Sequence, residues 1–233
     1  MEFVAQRSAS STRQRLLDAG RELLSERGID LGLRNLPVTD VAERAGHTTG
    51  AVYQIWKRQE DFHRDLALYA VAEQDRPDTA VVRDAIRSVR DAGGAQAEIL
   101  RTGADAYLDY LTESGTFHNN AHFVAVSQND PAVRTAVKAG YDRVHVDFRD
   151  LVGGLLDLFE LELREPFTLD DATVMLTAIA EGFALRRAID PESCRQDLTY
   201  ESALSPTGQS GDGWSLLACA VDAVLHSITQ PRS

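Results

Sequence analysis

Apolar residues recur along this chain at three- and four-residue steps, and no stretch alternates apolar with polar residues in the manner of a strand or hairpin. That period lays a continuous stripe along an α-helix. Leu16, Leu17, Gly20, Leu23 and Leu24 form the first stripe. It predicts a helix that opens near Ser11–Thr12, where Ser11-x-x-Gln14 has the form of a capping box, and stops at Gly28. The small, polar residues 1–10 are expected to stay outside it. A loop containing Gly32 follows, from Ile29 to Leu36. Pro37 suits an opening turn, where its missing amide proton costs nothing. Val38, Val41, Ala42 and Ala45 then make a short apolar face that Gly46 breaks. Thr48 or Thr49 caps a second short helix, Thr49 to Ile55. Its Ala51, Val52 and Ile55 include the inward positions, while Thr49, Gly50, Tyr53 and Gln54 face outward.

The same period continues to the end of the chain. Phe62, Leu66, Tyr69 and Ala70 predict a helix over Asp61–Glu73, ended by Arg76-Pro77-Asp78. Residues 79–92 read as a strongly charged helix, and Gly93-Gly94 as a break. Ile99, Ala106, Tyr107, Tyr110 and Leu111 predict an amphipathic helix ending near Ser114-Gly115, with a shorter one over Phe117–Ser127. Asn129-Asp130-Pro131 opens a long helix marked by Val133, Val137, Tyr141, Val144, Phe148, Leu151, Leu155 and Leu158. Pro166 separates it from a helix over Leu169–Ile189. Pro191–Gly213 is rich in Ser, Gly, Pro and acidic residues without a period, and reads as a loop. Trp214–Ile228 is the last predicted helix.

Composition narrows this picture. A chain of 233 residues, 43% hydrophobic and 26% charged, is of ordinary globular type with ample length for a core. No apolar run approaches the roughly 20 residues that span a bilayer, and no N-terminal apolar segment suggests a secretory signal. Cys194 and Cys219 lie far apart, so neither a disulfide framework nor a zinc site is expected, and a reducing cytoplasm fits. Net charge is −12, but unevenly spread. Residues 1–64 hold ten Lys/Arg against nine Asp/Glu, net +1; residues 65–233 hold fourteen against twenty-seven, net −13. A near-neutral head on an acidic body still suits DNA if its cations share one face.

The segment Val38–Phe62, two short helices about a glycine turn with an aromatic-basic tail, has the pattern of a DNA-reading helix-turn-helix. It resembles the DNA-binding head of TetR-type (tetracycline-repressor) transcriptional regulators. The resemblance rests on TRQRLLDAGRELLSERG, DVAERAG, TTGAVYQIW and KRQEDF, with Asp40, Val41, Ala42, Ala45, Gly46, Thr48, Gly50, Tyr53 and Trp56 at the family's motif positions. It is strong over about residues 12–70; AEGFALRRAIDPE extends it near the end. Three departures stand out: a longer loop after Gly28, His47 in place of an aliphatic residue, and Gln59 where a phosphate-touching lysine is common.

Residue chemistry and resemblance together define the candidate DNA contacts. Thr48, Thr49, Gly50 and Ala51 are small enough for the backbone to approach base edges; Gln54 suits bidentate bonds to adenine, and Thr49 or Ala51 a thymine methyl. The resemblance gives Tyr53 a phosphate, makes Trp56 a buried aromatic, and leaves Lys57 and Arg58 as backbone anchors. Arg13 and Arg15 are further phosphate candidates against a merely solvated face. His47 either contacts DNA or is simply exposed.

The body carries no phosphate-cradling loop, nucleophile elbow or Cys/His pairing, so no enzyme is expected and no cofactor is implied. His118 and His122 share a helical face, but HNNAH supplies no acidic residue or third ligand, so no metal site is assigned and a pocket wall or structural role is the alternative. Tyr107, Tyr110, Phe117, His118, His122, Phe123, Tyr141, His145, Phe148 and Phe183 gather aromatic and polar groups that could line a ligand pocket between helices, or simply form core. Leu169–Ile189 and Trp214–Ile228 carry Ala178, Gly182, Ala220 and Ala223, which permit close helix approach; the resemblance makes this pair a four-helix dimer interface, the alternative being intrachain core.

The expectation is an all-α chain: a three-helix helix-turn-helix head (residues 1–60) joined to a helical ligand-binding and dimerisation bundle (61–233). The implied function is a homodimeric regulator, a repressor whose heads occupy successive major grooves of a double-stranded operator. A small-molecule effector shifts the spacing of those heads, with no membrane involvement. The alternatives are a ligand-independent or protein-controlled regulator and, remotely, an all-helical enzyme.

Overall fold

The computed structural model describes residues 2–27, 36–72, 79–113, 124–125, 127–128, 130–205 and 211–232. The chain forms two compact units, one of Met1–Asp75 with Ser114–Tyr141, the other of Arg76–Glu113 with Asp142–Ser233.

In the first unit, α1 runs over Glu2–Arg27. It begins nine residues before Ser11, so the expected capping box does not form. Ser11 lies inside a continuous helix, and its carbonyl and hydroxyl accept bonds from Arg15. Residues 2–10 hold no glycine or proline, and extending a helix backwards costs far less than nucleating one. Gly28, the expected stop, lies outside the described residues, as does most of the following loop. Helix α2 covers Val38–Arg44, α3 Thr49–Ile55 and α4 Gln59–Ala72. The stripe of α1 (Leu16, Leu17, Leu23, Leu24) is buried with Val41, Ala42, Val52, Phe62 and Leu66. Gly20 lets α1 approach α4 closely: a Cβ there would stand 2.9 Å from the Leu66 methyls. Polar groups join the same helices. Tyr69 donates to Asp18 and accepts from Gln14 at 2.7 Å, and Arg44 forks onto Glu26 at 2.8 and 2.7 Å. Val133 and Val137, from the opening of α7 (Pro131–Leu158), belong to this core.

The second unit holds α5 (Thr79–Asp91), α6 (Gln96–Glu113), the remainder of α7, α8 (Leu169–Ile189) and α9 (Leu216–Ile228). Gly93, at φ 79°, turns the chain between α5 and α6, and a Cβ at Gly103 would stand 3.0 Å from Ile86 across that pair. Thr168 caps α8 through a complete capping box with Asp171, whose carboxyl the Thr168 bonds hold below the usual range. The termini expected at Ser114-Gly115 and at Arg76-Pro77-Asp78 lie outside the described residues. So does most of Phe117–Ser127, of which Val124, Ala125 and Ser127 are helical.

Two expectations are corrected in this unit. The chain is helical in the main, but it contains two antiparallel ribbons. β1 (Leu161–Leu163) pairs with β4 (Thr229–Pro231). β2 (Leu198–Tyr200) pairs with β3 (Gly211–Trp214), so the segment read as a loop is partly ordered, with a 3-10 turn at Pro191–Ser193 as well. Three residues are too few for an alternation to register. Trp214 also belongs to β3 and not to the last helix, which Ser215 caps by accepting from the Ala218 amide at 3.0 Å.

The β2–β3 ribbon is held to α9 by one buried carboxylate. Asp222 is 1% exposed. It accepts from the Tyr200 hydroxyl at 3.0 Å, the Ser202 hydroxyl at 2.7 Å and the Ala203 amide at 3.0 Å. The Tyr200 and Trp214 rings pack with centroids 5.0 Å apart. Asp222→Ala leaves these donors without their acceptor and is expected to cost about 2–3 kcal/mol, read as a lower urea midpoint. Burial, with Asp222 beside it, pushes the Tyr200 phenol up from 10.0 to about 12. A folded-state pKa above the unfolded one gives stability that is complete below pH 10 and lost as pH rises toward 12. Wild type is therefore expected to lose more stability than Tyr200→Phe across that interval in urea titrations; parallel losses would rule the contribution out.

Candidate nucleic-acid interface and ligand cavity

The head places its candidate residues by caps and core contacts. Val38, Val41 and Ala42 bury one face of α2. Gly46 then takes φ 67°, a left-handed turn that a side chain resists. Thr48 caps α3, its hydroxyl accepting from the Ala51 amide at 3.3 Å. The cap leaves Thr48 and Gly50 exposed, with Thr49 and Ala51 half-buried. Val52 is buried, which turns Tyr53 and Gln54 to solvent; Tyr53 is 43% exposed.

Trp56 ends α3 in extended backbone and is buried in the core, as expected. Its ring meets Phe62 edge-on at 5.1 Å, and its indole Nε1 donates to Asp65 at 2.8 Å. The same carboxylate oxygen receives Arg13 at 2.9 Å, and the Arg13 guanidinium stands 6.0 Å from the Trp56 ring. Arg13 is thus engaged within the unit, and Arg15 with Ser11. Lys57 and Arg58 are both exposed. They differ in engagement. Arg58 lies against Asp61 at 3.2 Å and Glu60 at 3.6 Å, which raises its pKa and lowers that of Asp61. Among the described residues Lys57 has no carboxylate partner, so it is the more available cation. His47 is half-buried, not simply exposed, and its Nε2 is shut from solvent without a hydrogen-bond partner. Gln59 opens α4 with its amide 3.4 Å from the His63 ring, whose Nε2 lies 2.9 Å from the Leu36 carbonyl oxygen.

In the second unit a cavity of about 70 Å³ lies among α5–α9, walled by aliphatic side chains such as Ile99, Leu100, Leu151, Leu176 and Val221. Tyr107 and Phe148 line it. Tyr110, Tyr141, His145 and Phe183 do not: Tyr110 is half-exposed on α6, and Tyr141 is 41% exposed and belongs to the first unit. The ring of His145 lies 3.1 Å from Asp170, which Arg149 also reaches at 2.9 Å. These two hold the Asp170 carboxyl below its ordinary range, His145 foremost. Phe183 offers its backbone carbonyl to the buried Cys194 thiol. Phe117, His118, His122 and Phe123 lie outside the described residues. Helical spacing alone does not tell which side of a buried helix faces a void. The described residues hold no group of three or more His, Cys, Asp or Glu arranged for a metal. No helix among them is long and apolar enough to cross a membrane.

A head in which the long α1 packs on the short α2 and α3 about a Gly46 turn, followed in sequence by a helical unit with an internal cavity, is a helix-turn-helix arrangement. Known proteins agree. Residues 96–204 match the family model of the BetI-type transcriptional repressor C-terminal domain. A TetR-family regulator from Cytophaga hutchinsonii shares 12% identity at a TM-score of 0.56, covering 95% of this chain and 96% of its own. One from Agrobacterium tumefaciens shares 14% at 0.53, covering 95% and 100%. A protein from Saccharomonospora viridis, described as a transcriptional regulator and solved in complex with choline, shares 14% at 0.52, covering 95% and 99%. No curated protein matches the chain. The structural likenesses show a TetR-type fold, and the matched stretch, just under half of the chain, is similar to the C-terminal domain of BetI-type repressors.

Proposed function

We propose that this chain is a homodimeric, effector-controlled DNA-binding repressor. Residues 1–60 form the DNA-binding head, and residues 61–233 the ligand-binding and dimerisation body. The observation that carries it is the outward row on α3: Thr48, Thr49, Gly50, Ala51, Tyr53 and Gln54, followed by exposed Lys57 and Arg58. Small residues at the start of the helix let it enter a major groove, Gln54 reads a base edge, and Tyr53, Lys57 and Arg58 hold phosphates. Arg58 must leave Asp61 to do so, which makes Lys57 the stronger anchor.

Dimerisation is supported by α8. Val174, Ala178, Gly182, Leu185 and Ile189 lie on one exposed stripe of it, with Val174 55% and Ile189 83% exposed. An apolar stripe of this kind marks an association surface. Effector control is supported by the cavity and by the choline bound to the neighbour from Saccharomonospora viridis. An effector acts by binding the operator-free state more tightly than the operator-bound state.

Selection against a random duplex library is expected to return a partly palindromic site; failure to enrich any palindrome would sink the regulator reading. Tyr53→Phe with Lys57→Gln is expected to weaken binding to all sequences and to lower the salt slope by about one to two charges. An unchanged slope would show that α3 is not the DNA-facing element. Gly182 has nothing within 4 Å of its Cβ direction, so Gly182→Arg is compatible with a folded protomer. It is expected to shift the chain from dimer to monomer in light scattering, with loss of operator binding. A variant that remains dimeric would place the interface elsewhere.

A further inference from the structure

Between helices α5 and α7 lies an open hollow of about 480 Å³, distinct from the inner cavity; Ile86, Leu151 and Leu155 stand between the two as walls of both. Its α5 side is cationic. Arg83, Arg87 and Arg90 line it, spaced about one turn apart on one face of the helix. Its α7 side is apolar over Leu151, Gly154, Leu155 and Leu158, and Asp157 is the one carboxylate in the lining.

Arg87 pairs with Asp84 and Arg90 with Asp91, each at 2.8 Å, and Arg232 holds Asp157 at 2.7 Å. Arg83 donates to the Asp147 carbonyl oxygen at 3.2 Å and has no carboxylate partner among the described residues. Four guanidinium groups thus stand against three carboxylates. Asp147 and Asp150 also belong to α7, but neither lines the hollow. The Arg87 and Arg90 pairs are at least half exposed on both sides, and such pairs are weak enough to exchange for a better acceptor. A surplus of one positive charge suits a monoanion and opposes a multiply charged one.

Gly154 is an independent feature of the same place. It is exposed and lies inside α7, where glycine weakens a helix and alanine would hold it better. No packing contact requires it, since a Cβ there would meet nothing within 4 Å. Its effect is to keep the hollow open between Leu151 and Leu158, about one turn to either side. The leucines around it offer apolar contact to a ring-sized body. Guanidinium planes stack on aromatic faces and bind carboxylates through paired, charge-assisted bonds.

We propose that this hollow is a binding site for a compact aromatic carboxylate. The ring lies over Gly154 against Leu151, Leu155 and Leu158, and the carboxylate is held by Arg87, the middle of the three arginines, with Arg83 or Arg90 beside it. The whole ligand stays outside the inner cavity, so the site stands whether or not that cavity takes an effector.

The test titrates the full chain, free of DNA, by calorimetry. The probes are 2-naphthoate, its neutral isostere 2-naphthamide, the cation 2-naphthylmethylammonium, and acetate. Naphthoate is expected to bind saturably with one molecule per protomer, at least about tenfold more tightly than the amide or the ammonium, through its charge-assisted bonds. Acetate, which has no ring, is expected not to saturate. Gly154→Met fills the hollow from an open helical position. It is expected to weaken naphthoate by about tenfold or more, with a urea midpoint unchanged or higher. Arg87→Gln is expected to weaken naphthoate by about tenfold and to remove most of its advantage over the amide. Equal or tighter binding of the ammonium would overturn the proposal. So would full naphthoate affinity in Gly154→Met or in Arg87→Gln, or no saturable binding of naphthoate at all.

Discussion

The head depends on how Trp56 is buried. A tryptophan carries a large apolar surface and one N–H that must keep a partner once water is gone. Asp65 supplies that partner and also takes Arg13, so one carboxylate on α4 ties both α1 and the end of α3. Phe62 meets the ring edge-on, and the Trp56 amide closes α3 on the Val52 carbonyl oxygen at 2.9 Å. With Val52 and Trp56 fixed inward, the helical period leaves Tyr53 and Gln54 no direction but out. The extended backbone at Trp56 then carries Lys57 and Arg58 beyond the helix end. The outward row is therefore a consequence of core packing and not of any preference of its own residues.

Much of the fold was legible because helical stripes are long. The span Leu169–Ile189 is the same in sequence and in structure, fixed by Thr168 at one end and by Asp190-Pro191 at the other. What escaped was short or non-local. Ser11 has a cap's composition, but a cap needs a chain that leaves the helix, and residues 2–10 stay in it. Leu161–Leu163 forms a strand only because Thr229–Pro231 returns beside it, nearly seventy residues later. Asp222 looks like an ordinary polar position on an apolar helix. Its three donors come from a segment that shows no period, and only the folded chain brings them together.

The two candidate sites differed in legibility for the same reason. The α3 row is local: a turn glycine, a cap and a helix under eight residues long specify it within one window of sequence. The cavity is assembled from five helices, so single-helix patterns pick its residues poorly. Tyr107 and Phe148 were found because buried aromatics are often near voids. Tyr110 shares their chemistry and misses the wall by one helical face.

Charge makes these sites compatible in one acidic chain. Residues 65–233 carry net −13. A duplex presents phosphates over a wide area, so it meets that surplus everywhere except at the near-neutral head. The surplus of the body therefore disfavours a duplex along most of the chain and leaves the head as the segment where exposed Lys57 can meet phosphate.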